Sequence, residues 1–451
     1  MRLCRLPIWL YVAMLVSFSS AQAGELTSAE RGYRYLTEKS YLLPDFDQET
    51  FDDVWREWPT DLRERAEKAT DDERRTMAFA RYGLTARPED PTKPLQYVVD
   101  GKGNWTMNCF ACHGGKVAGR AIAGVPNSLF ALQTLTEETR QVKQRLGKPL
   151  SRMDVGSVVV PLGATNGTTN AVMFGVVLMH FRDPDLRVHT ERGIPRMVHH
   201  DMDAPPWWHY HRKQQIYADA FAAVGHRGLM QFMLIKQNGP EKFRQWESDF
   251  RDVETYIQSI QPPKYPYPID RELAARGESA FRRVCADCHG TYGQDVKYPE
   301  KVIPLSELGT DSVRLKALTP THRAAYGRSW FAEYGKLKNV DDPPGYVAPP
   351  LDGIWASAPY LHNGSVPTLW HLLHPTDRPA VWRRTENGYD QSRVGLEVET
   401  FSTIPTEPLE GWQRRQFFDT SAFGKSAAGH EFPNALSEDE KQAVLEYLKT
   451  L

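Results

Sequence analysis

No methionine follows Met233, cysteine occurs only five times in 451 residues, and past residue 18 no apolar run approaches the length of a membrane span. Each scarcity removes an option. The one apolar stretch, residues 6–18, lies behind Arg2 and Arg5 and ahead of Ala21-Gln22-Ala23, the layout of a cleavable secretory signal. Residues 1–23 are therefore expected to be removed, Cys4 with them, leaving no membrane span. Loss of the two arginines takes the formal net charge from −2 to about −4, with both signs intermixed. The lack of a basic stripe speaks against nucleic acid as a partner.

The four remaining cysteines fall in two pentapeptides of one form, Cys109-Phe110-Ala111-Cys112-His113 and Cys285-Ala286-Asp287-Cys288-His289. Cys, Cys and His at i, i+3 and i+4 share one face of a helical turn. That pattern is the attachment signature of a c-type haem, in which both thiols become thioethers and the histidine gives iron one axial nitrogen. Two covalently attached haem c groups are thus the expected cofactors, bound by Cys109, Cys112, Cys285 and Cys288, with His113 and His289 on iron. Structural zinc would need its two CXXC halves about 12 to 20 residues apart, and these lie 176 apart. A thioredoxin-like dithiol explains neither histidine. Disulfides are expected to be absent, and the signal together with haem attachment points to a bacterial periplasm or secretion. Aromatic residues at 11%, with 12 Trp, suffice to enclose porphyrins, while 32 Gly and 32 Pro imply long loops around few helices.

Periodicity gives two copies of one plan. Residues 271–284 place Leu273, Ala274, Phe281 and Val284 on one face of an amphipathic helix running into Cys285. Ser437, with Glu440 three residues on, forms a capping box for a last helix whose buried stripe is Ala443, Val444, Tyr447 and Leu448. The first half repeats this with larger insertions, as helices over 29–41 and 71–82 and a closing helix over 241–260. Pro262-Pro263-Lys264-Tyr265-Pro266-Tyr267-Pro268 cannot continue that helix. The chain divides there into an N-terminal haem domain, 24–262, and a C-terminal haem domain, 263–451. The expected fold is mainly α, two class I cytochrome c-like haem domains with long loops and insertions.

A class I cytochrome usually closes its iron with a methionine just ahead of the last helix. The C-terminal half has none, and the loop there reads Gly429-His430-Glu431-Phe432-Pro433, so His430 is the expected sixth ligand of a bis-histidine, electron-transferring second haem. No histidine lies between His113 and His180, and Met230 and Met233 read as core packing. The first haem is therefore expected to keep an open position for dioxygen or peroxide. Within Asp203-Ala204-Pro205-Pro206-Trp207-Trp208, Trp208 is the candidate for the space between the haems, and Phe221 for a residue over the open iron. His199, His200, His209 and His211 match no standard metal site.

The segment Ala348-Pro349-Pro350-Leu351-Asp352-Gly353-Ile354-Trp355-Ala356-Ser357-Ala358-Pro359-Tyr360-Leu361-His362-Asn363-Gly364-Ser365-Val366-Pro367-Thr368-Leu369 resembles the signature of the dihaem cytochrome c peroxidase and MauG superfamily. With residues 203–208 and 429–451 it is most similar to the rubber oxygenase branch. The resemblance implies an N-terminal haem that binds dioxygen, a C-terminal bis-histidine haem and a tryptophan between them. These roles fall on His113, on His289 with His430, and on Trp208, while His362 falls on the signature histidine near the second haem. The Trp-Asp-Gly-Arg run and removable distal histidine of the peroxidases are not visible after His113, and the chain is shorter than a rubber oxygenase. Two classes of function stay open. One is a haem-dependent oxidoreductase whose first haem activates dioxygen or peroxide, with an apolar organic substrate and a redox partner protein; the other is a non-catalytic periplasmic dihaem electron carrier.

Overall fold

Two helix crossings repeat one packing device. They are seen in a computed structural model that describes residues 25–451, the side chains of Glu386 and Asn387 excepted; the expected signal segment lies outside the described residues. The principal helices are α1 (Ser28–Glu38), α2 (Asp71–Tyr82), α3 (Pro240–Ser259), α4 (Arg271–Val284) and α5 (Glu438–Leu448). In the first half α1 crosses α3, and in the second α4 crosses α5. A β-carbon on Gly32 of α1 would stand 2.1 Å from the Asp252 carbonyl oxygen, and one on Gly277 of α4 would stand 1.9 Å from that of Ala443. Only glycine allows the two backbones so close. Four residues beyond each contact comes a tyrosine on the closing helix, Tyr256 packed on Tyr33 and Tyr447 packed on Phe281, with ring centres 5.4 Å and 5.2 Å apart.

Helix ends follow the capping chemistry. The Ser437 side chain accepts the Glu440 amide and the Glu440 side chain accepts that of Ser437, completing the expected box. α2 and α4 coincide with the expected spans. α1 stops short of residue 41 because Lys39 is extended, which turns the Tyr41 hydroxyl inward to donate to Asp249 at 3.0 Å.

Helices predominate, but several small antiparallel sheets accompany them. β1 (Phe46–Asp47), β2 (Tyr97–Val99) and β3 (Asn104–Met107) form one in the order β1-β3-β2. β4 (Gly114–Val117) and β5 (Arg120–Ala123) form a hairpin directly after His113, and β6 (Val302–Pro304) pairs with β7 (Gly345–Val347). β8 (Val381–Asp390) lies between β9 (Gly395–Phe401) and β10 (Phe417–Asp419). Three apolar cores result. The first gathers Leu36, Phe110, Trp207, Phe221, Met230 and Phe243 with Leu318, Tyr326, Trp330 and Phe331 from the second half. The second joins Phe281, Trp355, Tyr360, Trp382 and Tyr447 to Val117, Val125 and Trp208 from the first half. The third packs α2 on β1–β3 through Phe46, Phe51, Trp58, Tyr82 and Trp105. Among the described residues no helix is long and apolar enough to cross a membrane.

Candidate functional site

Each CXXCH motif forms a single helical turn. Cys109 O accepts the His113 amide at 3.2 Å, and Cys285 O accepts that of His289 at 3.0 Å. The second turn follows α4 directly, with the Cys285 amide donating to Phe281 O at 2.8 Å, whereas the first starts from a turn in which the Asn108 side chain accepts the Phe110 amide at 2.9 Å. None of the four cysteines is in a disulfide. Burial pushes the Cys109 and Cys285 thiols up to about 12, and those of Cys112 and Cys288 are raised as well. A redox dithiol works through a lowered thiol pKa, and the raised values here run against that reading.

The two motif histidines are held alike. His113 donates its Nδ1–H to the Pro205 carbonyl at 3.0 Å, and His289 donates its own to the Pro349 carbonyl at 2.8 Å. Each bond fixes the tautomer with Nε2 unprotonated, the form that ligates metal. Burial holds His113 down at about 4, against the opposing effect of its Pro205 bond, and lowers His289 in the same way. Both are neutral at ordinary pH.

The structure brings His430 opposite His289. Their ring centres are 6.2 Å apart, and a metal held between two imidazole nitrogens by bonds of about 2 Å each gives about this separation. The donor set therefore fits an iron porphyrin between them. Burial first, then neighbouring His289 and Arg378, pushes His430 down to about 3. Its loop is carried in by Gly429, where a β-carbon would stand 2.3 Å from the Gly309 backbone, and by the bond from the His430 amide to Leu308 O at 2.7 Å. Arg378 clasps the same loop through the carbonyls of Ala427 and Gly429. The face of the His113 ring is covered by Trp207, with centres 5.0 Å apart and planes 22° from parallel, which fixes the ring beside its Pro205 bond.

Trp208 bonds the loop of Pro205 to the loop of Pro349. It is fully buried in the second core, and its indole N–H donates to Asp352 O at 2.7 Å, an oxygen that also accepts His209 Nε2–H at 2.8 Å. Trp208 lies three residues after Pro205 and Asp352 three after Pro349, so equivalent positions of two equivalent loops meet. Gly353 makes room, since a β-carbon there would stand 2.9 Å from the Trp208 Nε1.

The other expected residues make local contacts of their own. Phe221 is buried in the first core, stacked on Tyr217 with centres 4.7 Å apart. His362 stacks on Tyr346 at 4.2 Å, and its Nε2 is buried without a partner. Met230 and Met233 are buried in the first core. His199 contacts Asn170 and Pro161 O, His200 donates to Val198 O and His209 to Asp352 O, so these histidines do not converge. Pro205, Pro349, Asp352 and Arg378 escape a motif-based reading, although the repeated Ala-Pro-Pro at 204–206 and 348–350 marks the first two.

A family model described as RoxA-like, cytochrome c-like, matches residues 345–383, the segment that supplies Pro349, Asp352, His362 and Arg378. This supports the rubber-oxygenase-like branch of the resemblance and implies haem c. Two Sinorhizobium fredii (strain NBRC 101917 / NGR234) proteins, each named only as uncharacterized, are also similar. Protein y4iM is 29% identical over 239 residues, covering 44% of this chain and 53% of its own, and y4iJ is 29% identical over 265 residues, covering 44% and 43%. The chain spans about half the length of these curated relatives.

Proposed function

We propose that the chain is an exported dihaem c-type cytochrome acting as an oxidoreductase, with an oxygen- or peroxide-reactive centre on His113 and an electron-transferring centre on His289 and His430. The observation that carries this reading is the asymmetry of the two motifs. His289 pairs with a second imidazole, His430, at 6.2 Å between ring centres, whereas among the described aromatic pairs no imidazole stands against His113. Bound at these motifs, haem would supply redox-active iron, held at one centre by His113 and at the other by His289 and His430. The chain's own work is positional. Four cysteines anchor the two groups, and the Pro205 and Pro349 carbonyls orient each histidine and strengthen its donation. Trp208, bonded to Asp352, joins the loops that hold the two histidines and offers a short route for electrons. Phe221 is the proposed apolar wall of the first centre, and His362 a polar neighbour of the second. Dioxygen or peroxide is the proposed oxidant, an apolar organic molecule the substrate class and a periplasmic redox protein the electron partner.

Low-temperature EPR of the oxidised protein, with spectra of the reduced form before and after carbon monoxide, tests the assignment. One low-spin centre and one high-spin or gas-binding centre are expected. Two low-spin centres indifferent to carbon monoxide would overturn the enzyme in favour of the carrier. Cys109→Ala should abolish oxygen turnover while leaving the low-spin signal, and surviving turnover would place the reaction at the wrong motif.

A further inference from the structure

The helix Arg152–Val159 reverses the usual order of burial, which turns apolar residues in and polar ones out. Its inward face is polar. Asp154 and Ser157 are buried, Asp154 pairs with the equally buried Lys143, and Arg140 donates to Asp154 O at 2.8 Å and to Ser157 Oγ at 2.9 Å. Gln133 fastens the segment that follows by accepting the Leu162 amide at 2.9 Å. These partners all come from the helix Leu132–Arg145, whose Leu135 and Val142 are committed to the third core. The outward face is aliphatic. Val155, Val158 and Val159, at i, i+3 and i+4, are 57%, 69% and 78% exposed. Leu150, 42% exposed, stands just ahead of the Ser151 cap, at the position that staples onto the fourth helical residue, here Val155. A β-carbon on Gly156 would meet nothing within 4 Å, so no other part of the described chain covers the helix there.

Charge around this face points to what covers it. Residues 155–179 contain no Asp, Glu, Lys or Arg, in a chain where these make up 25%. Between Glu138 and Asp183 stand six cations, Arg140, Lys143, Arg145, Lys148, Arg152 and Arg182, against the single acid Asp154. Arg145 is bound to Asp53 and Glu57, Lys148 to Asp47 and Glu49, and Arg182 is buried among carbonyls. Arg140 and Arg152 pair with no carboxylate among the described residues. Arg152 lies three residues before Val155 and seven before Val159, exposed on the aliphatic face itself. Four aliphatic side chains offer on the order of a few hundred Å², short of the about 800 Å² per partner of a stable protein interface, and valine seldom anchors one. A bilayer demands neither that area nor a fixed shape. Aliphatic side chains enter the acyl boundary while a cation at the helix end stays with the phosphates.

We propose that the face made by Val155, Val158 and Val159 with Arg152 is a docking surface for an anionic lipid bilayer, which it meets as a short interfacial helix and not as a span. The polar bonds to Arg140 and Lys143 hold the helix with its valines outward, so the face is formed before it meets lipid. The attachment is reversible and weakens with salt, and it is independent of the reading of the two haem motifs.

Flotation of the haem-loaded chain without residues 1–23, whose own apolar run would bind lipid, on vesicles of phosphatidylglycerol or of phosphatidylcholine tests this. Binding to phosphatidylglycerol is expected, falling as salt is raised, with little to phosphatidylcholine. Val158→Ser together with Val159→Ser should cut the bound-to-free ratio roughly tenfold or more, with the haem spectra unchanged. If that double variant does not fold, Val159→Ser alone should cut the ratio severalfold. Arg152→Gln should weaken binding to phosphatidylglycerol and flatten its salt dependence, and Phe423→Ser, at a 67% exposed aromatic residue elsewhere, should leave binding as it is. Wild-type protein that floats with neither vesicle overturns the proposal, as does binding that persists in the valine variants or is lost only in Phe423→Ser. A dimer in sedimentation equilibrium that the valine variants dissociate also overturns it, because the face would then belong to a second copy of the chain.

Discussion

His430 adopts φ +51°, next to Gly429 at +79°, and a residue with a β-carbon rarely keeps that conformation without cause. The cause here is a loop pulled in from three sides, by the Gly309 contact, the bond to Leu308 and the Arg378 clasp. His430→Ala should therefore leave the loop in place and convert the low-spin signal to high spin; an unchanged spectrum would remove His430 from the iron. The position was legible because the last helix is, and because no methionine competes for it. Arg378 was not. Its worth depends on the carbonyls of residues 371, 427 and 429, which are neighbours only after folding. Pro205 and Pro349 stand between these cases, since the repeat of Ala-Pro-Pro is visible in the chain but the imidazoles they orient are not.

At the level of elements, the helices were readable and the sheets were not, for a physical reason. α2, α4 and α5 announce themselves through caps and apolar stripes several turns long. The strands run from 2 to 10 residues, and the longest, β8, is interrupted by an irregularity between Arg384 and Tyr389, so alternation never builds up a period. The glycine at each helix crossing also gives no local signal, because its partner lies about 166 to 220 residues away. Gly277→Ala makes the crossing measurable. In an unobstructed helix this exchange stabilises by about 0.4–1 kcal/mol. Here the added methyl would meet the Ala443 carbonyl at 1.9 Å, and backbone cannot rotate aside as a side chain can. A loss of about 1–3 kcal/mol is expected in urea unfolding of the haem-loaded protein, and a gain would mean that α4 and α5 separate at little cost.

Over the whole molecule, the two halves that share a plan do not keep separate interiors. Trp207 belongs to the first core and Trp208 to the second, so one dipeptide bridges them. Trp208→Phe keeps the apolar bulk but removes the indole N–H, leaving Asp352 O to His209 alone. Both haems should be retained and electron exchange between them slowed in flash-reduction kinetics; an unaltered rate would exclude Trp208 from the route. The exchange of residues extends further. Leu318, Tyr326, Trp330 and Phe331 fill the first core from beyond the proline-rich linker, and Val117 and Val125 fill the second from before it. Arg415 reinforces this by pairing with Glu137 across the halves while its carbonyl accepts the Asn166 amide at 2.8 Å. Removing either half would expose the other's borrowed surface, at about 25 cal/mol for each Å² of apolar area returned to water. The chain should therefore unfold in urea as one unit, with tryptophan fluorescence and the haem absorbance of both centres changing together. Two separated transitions would show that the linker divides the molecule energetically as well as in sequence, and that the shared cores contribute little to holding the haem sites at a fixed distance.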